Sequence, residues 1–178
     1  KYWRRTKDMM LVFGNGELQV QGYTNLDFMS DIDDRKSTFE SLFVCNGGAV
    51  RWKSSKQTMI AYSTMEAEYI AASEAAKEAF WYKKFAAEIG VMPSDAIPLY
   101  CDNNGAIALA KEPKSHQKSK HIERRYHLIH DYLEKGYVEV KRVDSADNVA
   151  DPLTKPLGQQ KIKAHLEKMG LRLVANWL

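Results

Sequence analysis

Apolar residues recur at helical spacing over one long stretch of the chain and gather in short runs elsewhere. After Ser63, Met65, Tyr69, Ala72, Ala76 and Phe80 follow at steps of four, three, four and four, one stripe of an α-helix. Alanine is frequent there, and neither Gly nor Pro intervenes before Gly90, so the pattern predicts one long helix ending at that glycine. Ser63 with Glu66 three residues on makes a capping box at its entry. Upstream, Met9–Phe13 is a short apolar segment, and Gly14-Asn15-Gly16 reads as a turn. Leu18–Thr24 alternates as a strand, with Asn25 and Asp27 closing it. Ser41–Cys45, Ala49–Lys53 and Thr58–Tyr62 read as further short strands, separated by Asn46-Gly47-Gly48 and Ser54-Ser55-Lys56. Downstream, Ile97–Cys101 is a buried strand and Asn103–Lys111 a short helix stopped by Pro113. His121–Lys135 is a helix ending at Gly136, Tyr137–Val143 a last strand, Asp147–Pro156 a loop and Gln159–Met169 a final helix. Strands followed by alternating helix and strand predict an α/β fold with one mixed sheet flanked by helices.

Composition narrows the class without naming it. At 178 residues, 44% apolar and 28% charged, the chain suits one globular domain and is neither collagen-like nor intrinsically disordered. No apolar run approaches the ~18 residues of a membrane span, and a first residue other than Met suggests a fragment or processed product. Cys45 and Cys101 both lie in strand-like runs and read as reduced, buried thiols of an intracellular protein. The net charge of +3 is mild, but its distribution is not. Lys111, Lys114, Lys118, Lys120, Arg124 and Arg125 face only Glu112 and Glu123 in that stretch, with His116 and His121 among them. Such a block either follows a phosphate backbone or is a solvated basic face.

The acidic residues at element ends carry candidate chemistry. Asp102 directly follows the strand Ile97–Cys101, where open α/β sheets place ligands; an Asp there is also a common helix N-cap. Asp151 sits in the loop before the last helix, where Pro152 also suits it to a turn. Glu66 has a structural role in the capping box. Glu68 lies two positions on, roughly 200° around the helix, and is left for other work. Oxygen ligands without Cys or His suit Mg²⁺ or Mn²⁺ rather than zinc. Two such ions ~3.5–4 Å apart are a recurrent device of phosphodiester hydrolysis. Trp52, Trp81 and the aromatic stripe read as core rather than as platforms for stacked bases.

Six motifs, in order, carry a resemblance. They are Gly22-Tyr23-Thr24-Asn25-Leu26-Asp27, Asp33-Asp34-Arg35-Lys36-Ser37-Thr38, Ser63-Thr64-Met65-Glu66-Ala67-Glu68-Tyr69, Tyr100-Cys101-Asp102-Asn103-Asn104, Lys120-His121-Ile122-Glu123-Arg124-Arg125-Tyr126-His127 and Ala150-Asp151-Pro152-Leu153-Thr154-Lys155-Pro156-Leu157. With these the chain, from about Met9 to Leu171, resembles the ribonuclease H domain of copia-type LTR-retrotransposon reverse transcriptases. The resemblance implies a ribonuclease H-like mixed five-stranded sheet over residues 14–178, with 1–13 ending a preceding polymerase or connection region. It implies an endonuclease that uses two Mg²⁺ ions, or Mn²⁺ in their place, to cut the RNA strand of RNA–DNA hybrids. The implied partner is the polymerase domain of the same polyprotein, with no membrane involved, and the implied setting is cytoplasmic, within virus-like particles.

The family's four metal-binding and catalytic acidic positions match Asn25, Glu68, Asp102 and Asp151. Asn25 is a departure, because an amide oxygen brings no charge to the metals. The resemblance therefore implies an impaired or inactive copy, and Asp27 lies ~6.6 Å along the strand, too far for a silent substitute. No His lies between His130 and Asp151, where many relatives have one. By the same likeness, Thr64, Asn103 and Asn104 match hybrid-contacting places, though local caps explain Thr64 equally. Lys118, Lys120, His121, Arg124 and Arg125 are candidates for DNA-strand phosphates. Two other readings stay open: a catalytically silent hybrid-binding or polymerase-partner domain, and an integrase- or transposase-class nuclease with Glu134 or Glu139 as its third acid.

Overall fold

The computed structural model describes residues 7–14, 18–28, 37–57, 63–91, 95–111, 123–153 and 155–176, with backbone alone at 123–127 and 176. Among these, β1 (Met9–Leu11), β2 (Gln21–Asp27), β3 (Thr38–Cys45) and β4 (Gly48–Lys56) precede a long helix, α1 (Thr64–Glu88). Then come β5 (Ile97–Cys101), α2 (Asn104–Lys111), α3 (Glu123–Glu134), β6 (Val138–Arg142), two single-turn 3₁₀ segments, α4 (Gln159–Lys168) and β7 (Leu171–Leu173). Five strands form one mixed sheet in the order β4-β3-β2-β5-β6. The first three are antiparallel neighbours, while β2, β5 and β6 run parallel. The expected α/β architecture is therefore present.

Helix α1 covers one face of the sheet. Ser63 Oγ accepts the backbone N–H of Glu66 at 3.1 Å and so starts the helix. Ala67, Ala71, Ala75 and Ala79, one row at spacing four, are all fully buried, and their small size lets the backbone lie close to β2 and β5. Leu26, Phe39, Phe43, Ile97 and Leu99 meet that row. The opposite face carries a smaller core of Leu42, Ala49, Val149, Ala150 and Met169, closed by the C-terminal segment. There β1 pairs with β7, Val12 N–H donates to Gly170 O, and Ala49 N–H donates to Met169 O. Gly170 has φ 81°, and a Cβ there would lie 2.6 Å from Gly47 O and 2.8 Å from Val12 O. No side chain fits at that crossing.

Three expectations need correction. The first sheet strand begins at Gln21 rather than Leu18, which is exposed, and it runs to Asp27. Asn25 thus sits inside the ladder, opposite Glu40, rather than at its end. Ser54-Ser55-Lys56 is no separator, because it continues β4 and pairs with Thr38–Glu40. An edge strand tolerates that polarity, since one side of it faces solvent. Trp52 and Trp81 are 60% and 53% exposed, so neither belongs to the core. Trp52 lies on the edge strand, and Trp81 stacks on Phe85 (centroids 5.3 Å apart) on the outside of α1. The proposed strand Thr58–Tyr62 lies outside the described residues.

Candidate active site

The parallel pair β2–β5 sets the site. Its register matches Gly22 with Leu99 and Tyr23 with Tyr100, and two further residues bring Asn25 level with Asp102, just past the end of β5. Asp102 does not cap the following helix; Asn103 does, its Oδ1 accepting Ala106 N–H at 3.0 Å. Glu68, two residues beyond Glu66 in α1, is turned inward and only 5% exposed. Carboxylate oxygens of Glu68 and Asp102 and the Cys101 sulfur all lie within 4.8 Å of one another. Asp151 arrives from the C-terminal segment, which Asn148 pins to β2. The Asn148 amide donates to Thr24 O at 2.9 Å, and its own oxygen accepts Ala150 N–H at 3.2 Å. Asp151 Oδ1 then accepts from Asn25 Nδ2 at 2.7 Å and from Lys155 Nζ at 2.7 Å. Asn25 Nδ2 also donates to Glu40 Oε2 at 3.0 Å.

Burial and like charge dominate the electrostatics of this cluster. Burial, reinforced by the neighbouring Asp102 charge, pushes the Glu68 carboxyl up to about 8; Glu40 adds to the rise and Lys155 opposes it. Glu68 Oε2 is buried without a hydrogen-bond partner among the described residues. Such an oxygen beside a second carboxylate is the donor set a hard divalent ion satisfies. The Cys101 thiol is pushed up to about 12, chiefly by burial and then by Glu68. The Glu68 and Asp102 carboxylates offer the oxygen donors that a divalent ion takes.

The structure brings Asn25, Glu68, Asp102 and Asp151 to one end of the sheet. Of the substrate candidates, Thr64 is exposed at the first turn of α1, Asn103 is occupied as the cap of α2, and Asn104 Oδ1 accepts from the Arg142 guanidinium. Arg124 and Arg125 lie on α3, described by backbone alone; Lys118, Lys120 and His121 lie outside the described residues. Two residues of the cluster escaped the sequence reading. Glu40 is fully buried in the middle of β3, and Lys155 is half-buried against Asp151. A lone Glu inside the apolar run Phe39–Val44 was the signal for the first, and the spacing of four from Asp151 the signal for the second.

A mixed sheet of this order, with acids gathered where parallel strands end beneath a long helix, is the ribonuclease H fold. LC11-RNase H1, isolated from compost, superposes with a TM-score of 0.55 at 14% identity, over 76% of this chain and 92% of that one. A crystal structure of LC11-RNase H1 in complex with RNA/DNA hybrid gives 0.55 at 12% identity, over 76% and 93%. In sequence, the chain is 39% identical over 171 residues to the retrovirus-related Pol polyprotein from transposon TNT 1-94 of Nicotiana tabacum. It is 31% identical over 172 residues to that from transposon RE2 of Arabidopsis thaliana. Each alignment covers 96% of this chain but only 13% and 12% of the respective polyprotein. The chain is a homologue of copia-type transposon Pol polyproteins, matching a small segment of their length. No family model matches it.

Proposed function

We propose that this chain is a ribonuclease H domain that hydrolyses the RNA strand of RNA–DNA hybrids with divalent metal, as part of a retrotransposon reverse transcriptase. The observation that carries the reading is the pair Glu68–Asp102, with an orphaned buried Glu68 oxygen, set against Asp151 in a ribonuclease H fold. Glu68, Asp102 and Asp151 would hold the ions, with Asn25 as a neutral fourth member. Two bound divalent ions supply Lewis acidity at the scissile phosphate and an activated water. The protein's own part is to fix the three carboxylates. Asn148 and Asn25 hold Asp151 in place, α1 carries Glu68, and Asn103 keeps Asp102 out of capping duty. Thr64 and Asn104 are suited to ribose and base-edge contacts, and Lys118, Lys120, His121, Arg124 and Arg125 to phosphates. The polymerase domain of the same polyprotein is the natural partner, and a cytoplasmic virus-like particle the setting.

Asn25 makes the copy slow, since one negative charge is missing from the shell around the ions. It also favours a second reading, a hybrid-binding domain with no cleavage. An integrase-class site is disfavoured: Glu139 is exposed and paired with Lys141 at 2.9 Å, and neither it nor Glu134 joins the acidic cluster among the described residues.

The test compares Mg²⁺-dependent cutting of an RNA–DNA hybrid and of duplex DNA by the chain and by Asn25→Asp. Slow hybrid-only cleavage that rises in the variant supports the enzyme. Hybrid binding with no cleavage by either protein supports the silent domain, and cutting of duplex DNA the integrase class. The exchange is isosteric but not electrically silent. It removes the amide donor to Glu40 and Asp151 and adds a charge, so Asn25→Asp should be less stable than the parent without metal and regain stability with it.

A further inference from the structure

Glu40 is a carboxyl group buried at 0% exposure, and nothing in the sequence motifs assigns it a role. It pairs directly across the strand from Asn25, so the two side chains leave the same face of the sheet. Their contact is a hydrogen bond of 3.0 Å, and the same amide nitrogen reaches Asp151 at 2.7 Å. Glu40 therefore stands one side chain away from the place where a carboxylate is missing. Its field reaches both Glu68 and Lys155, so it belongs electrically to the cluster rather than to the core of β3.

Charge counting points the same way. Glu40, Glu68, Asp102 and Asp151 gather four acidic side chains in one cluster, with the Lys155 ammonium against Asp151. Buried like charges persist together when cations compensate them, and in a low-dielectric interior a charge a few ångströms further off still counts. The unpartnered Glu68 oxygen marks where such a cation is wanted.

We propose that Glu40 supplies the fourth negative charge of the divalent-ion site, moved across the strand pair from position 25 on β2 to β3. The inference rests on the metal-site reading given above and adds to it. This chain keeps its affinity for a divalent ion even though the geometry of cleavage is altered. It also makes the pair exchangeable. In Asn25→Asp/Glu40→Gln the charge returns to β2 and the cross-strand hydrogen bond survives with donor and acceptor reversed.

The experiment titrates Mn²⁺ into the chain, Glu40→Gln, Asn25→Asp/Glu40→Gln and Asp102→Asn, reading free Mn²⁺ by electron paramagnetic resonance, with near-ultraviolet circular dichroism to check the fold. Glu40→Gln should bind Mn²⁺ about tenfold or more weakly, as expected when a residue that tunes a metal site is neutralised. The double exchange should recover the parent affinity. Parent-like binding by Glu40→Gln overturns the proposal, provided Asp102→Asn binds weakly. If Asp102→Asn also binds like the parent, the metal site itself is misplaced. Should Glu40→Gln not fold, the double exchange decides alone: recovered affinity supports the transfer of charge, and a tenfold loss sinks it.

Discussion

The two halves of α1 share one sequence pattern and meet opposite environments. From Ala67 to Ser73 every residue is buried, so the helix there is enclosed on all sides, by the sheet, by the cluster of acids and by its helical neighbours. Beyond Ala79 the same helix turns Trp81 and Phe85 outwards at spacing four, with Ile89 at its C-cap, all about half exposed. The enclosed half packs Tyr69 and Ile70 among alanines and buries Glu68 with them. The outer half carries large apolar side chains in water, where Trp81 and Phe85 cover part of each other by stacking. What separates the halves is the covering layer, since Tyr69 and Ile70 are buried where Trp81 and Phe85 are not.

The largest contrast should come from Glu68. Glu68→Gln is expected to reduce hybrid cleavage to background, even in the Asn25→Asp protein, while the fold remains. The same change should act in the opposite sense on stability. The folded state holds this carboxyl near 8, far above the ~4.3 of an unfolded Glu. The folded state keeps a proton that the unfolded chain gives up. This contribution is therefore full below the unfolded value and is lost as pH rises towards 8. Glu68→Gln has no proton to lose, so without metal it should melt above the parent at about pH 9 and level with it at about pH 4. Thermal melts at the two pH values check this, and parallel curves would show that Glu68 is not strained by burial.

Next in size is packing. Ala71→Leu, in the enclosed half, should cost ~1–3 kcal/mol by overpacking. Trp81→Ala, in the outer half, should cost under ~1.5 kcal/mol, about the value of an aromatic stack. Urea unfolding of both variants measures the difference, and equal losses would mean that the outer half is covered in solution. The smallest effect belongs to Glu66→Gln. The Ser63 cap accepts a backbone N–H, so the change should alter stability by no more than ~1 kcal/mol and leave the cleavage rate alone.

These contrasts also show what was legible before the structure. The stripe Tyr69–Ala72–Ala76 and the Ser63 cap announced α1, and helical angles alone separated Glu66 from Glu68. The aromatic outer half was misread because periodicity says which residues share a face but not how far a covering layer extends. Trp52 failed for a related reason, since an edge strand has no neighbour on one side to bury it. Polar Ser54–Lys56 hid the last third of β4, where the ladder is held by backbone groups that carry no sequence signal. Glu40 was out of reach because its meaning depends on register. Only the pairing of β2 with β3 places it against Asn25, and a slip of one residue would turn it to the other face.

The crossing at Gly170 has a consequence in time. It joins β1 and β7, the strands furthest apart in sequence, so its hydrogen bonds close the longest loop in the domain. Long closures are the slowest to be rewarded. The central sheet and α1 can assemble while that clasp is still open. On this ordering β1 and β7 dock at the end of folding and are the first to exchange their amide hydrogens on the way out.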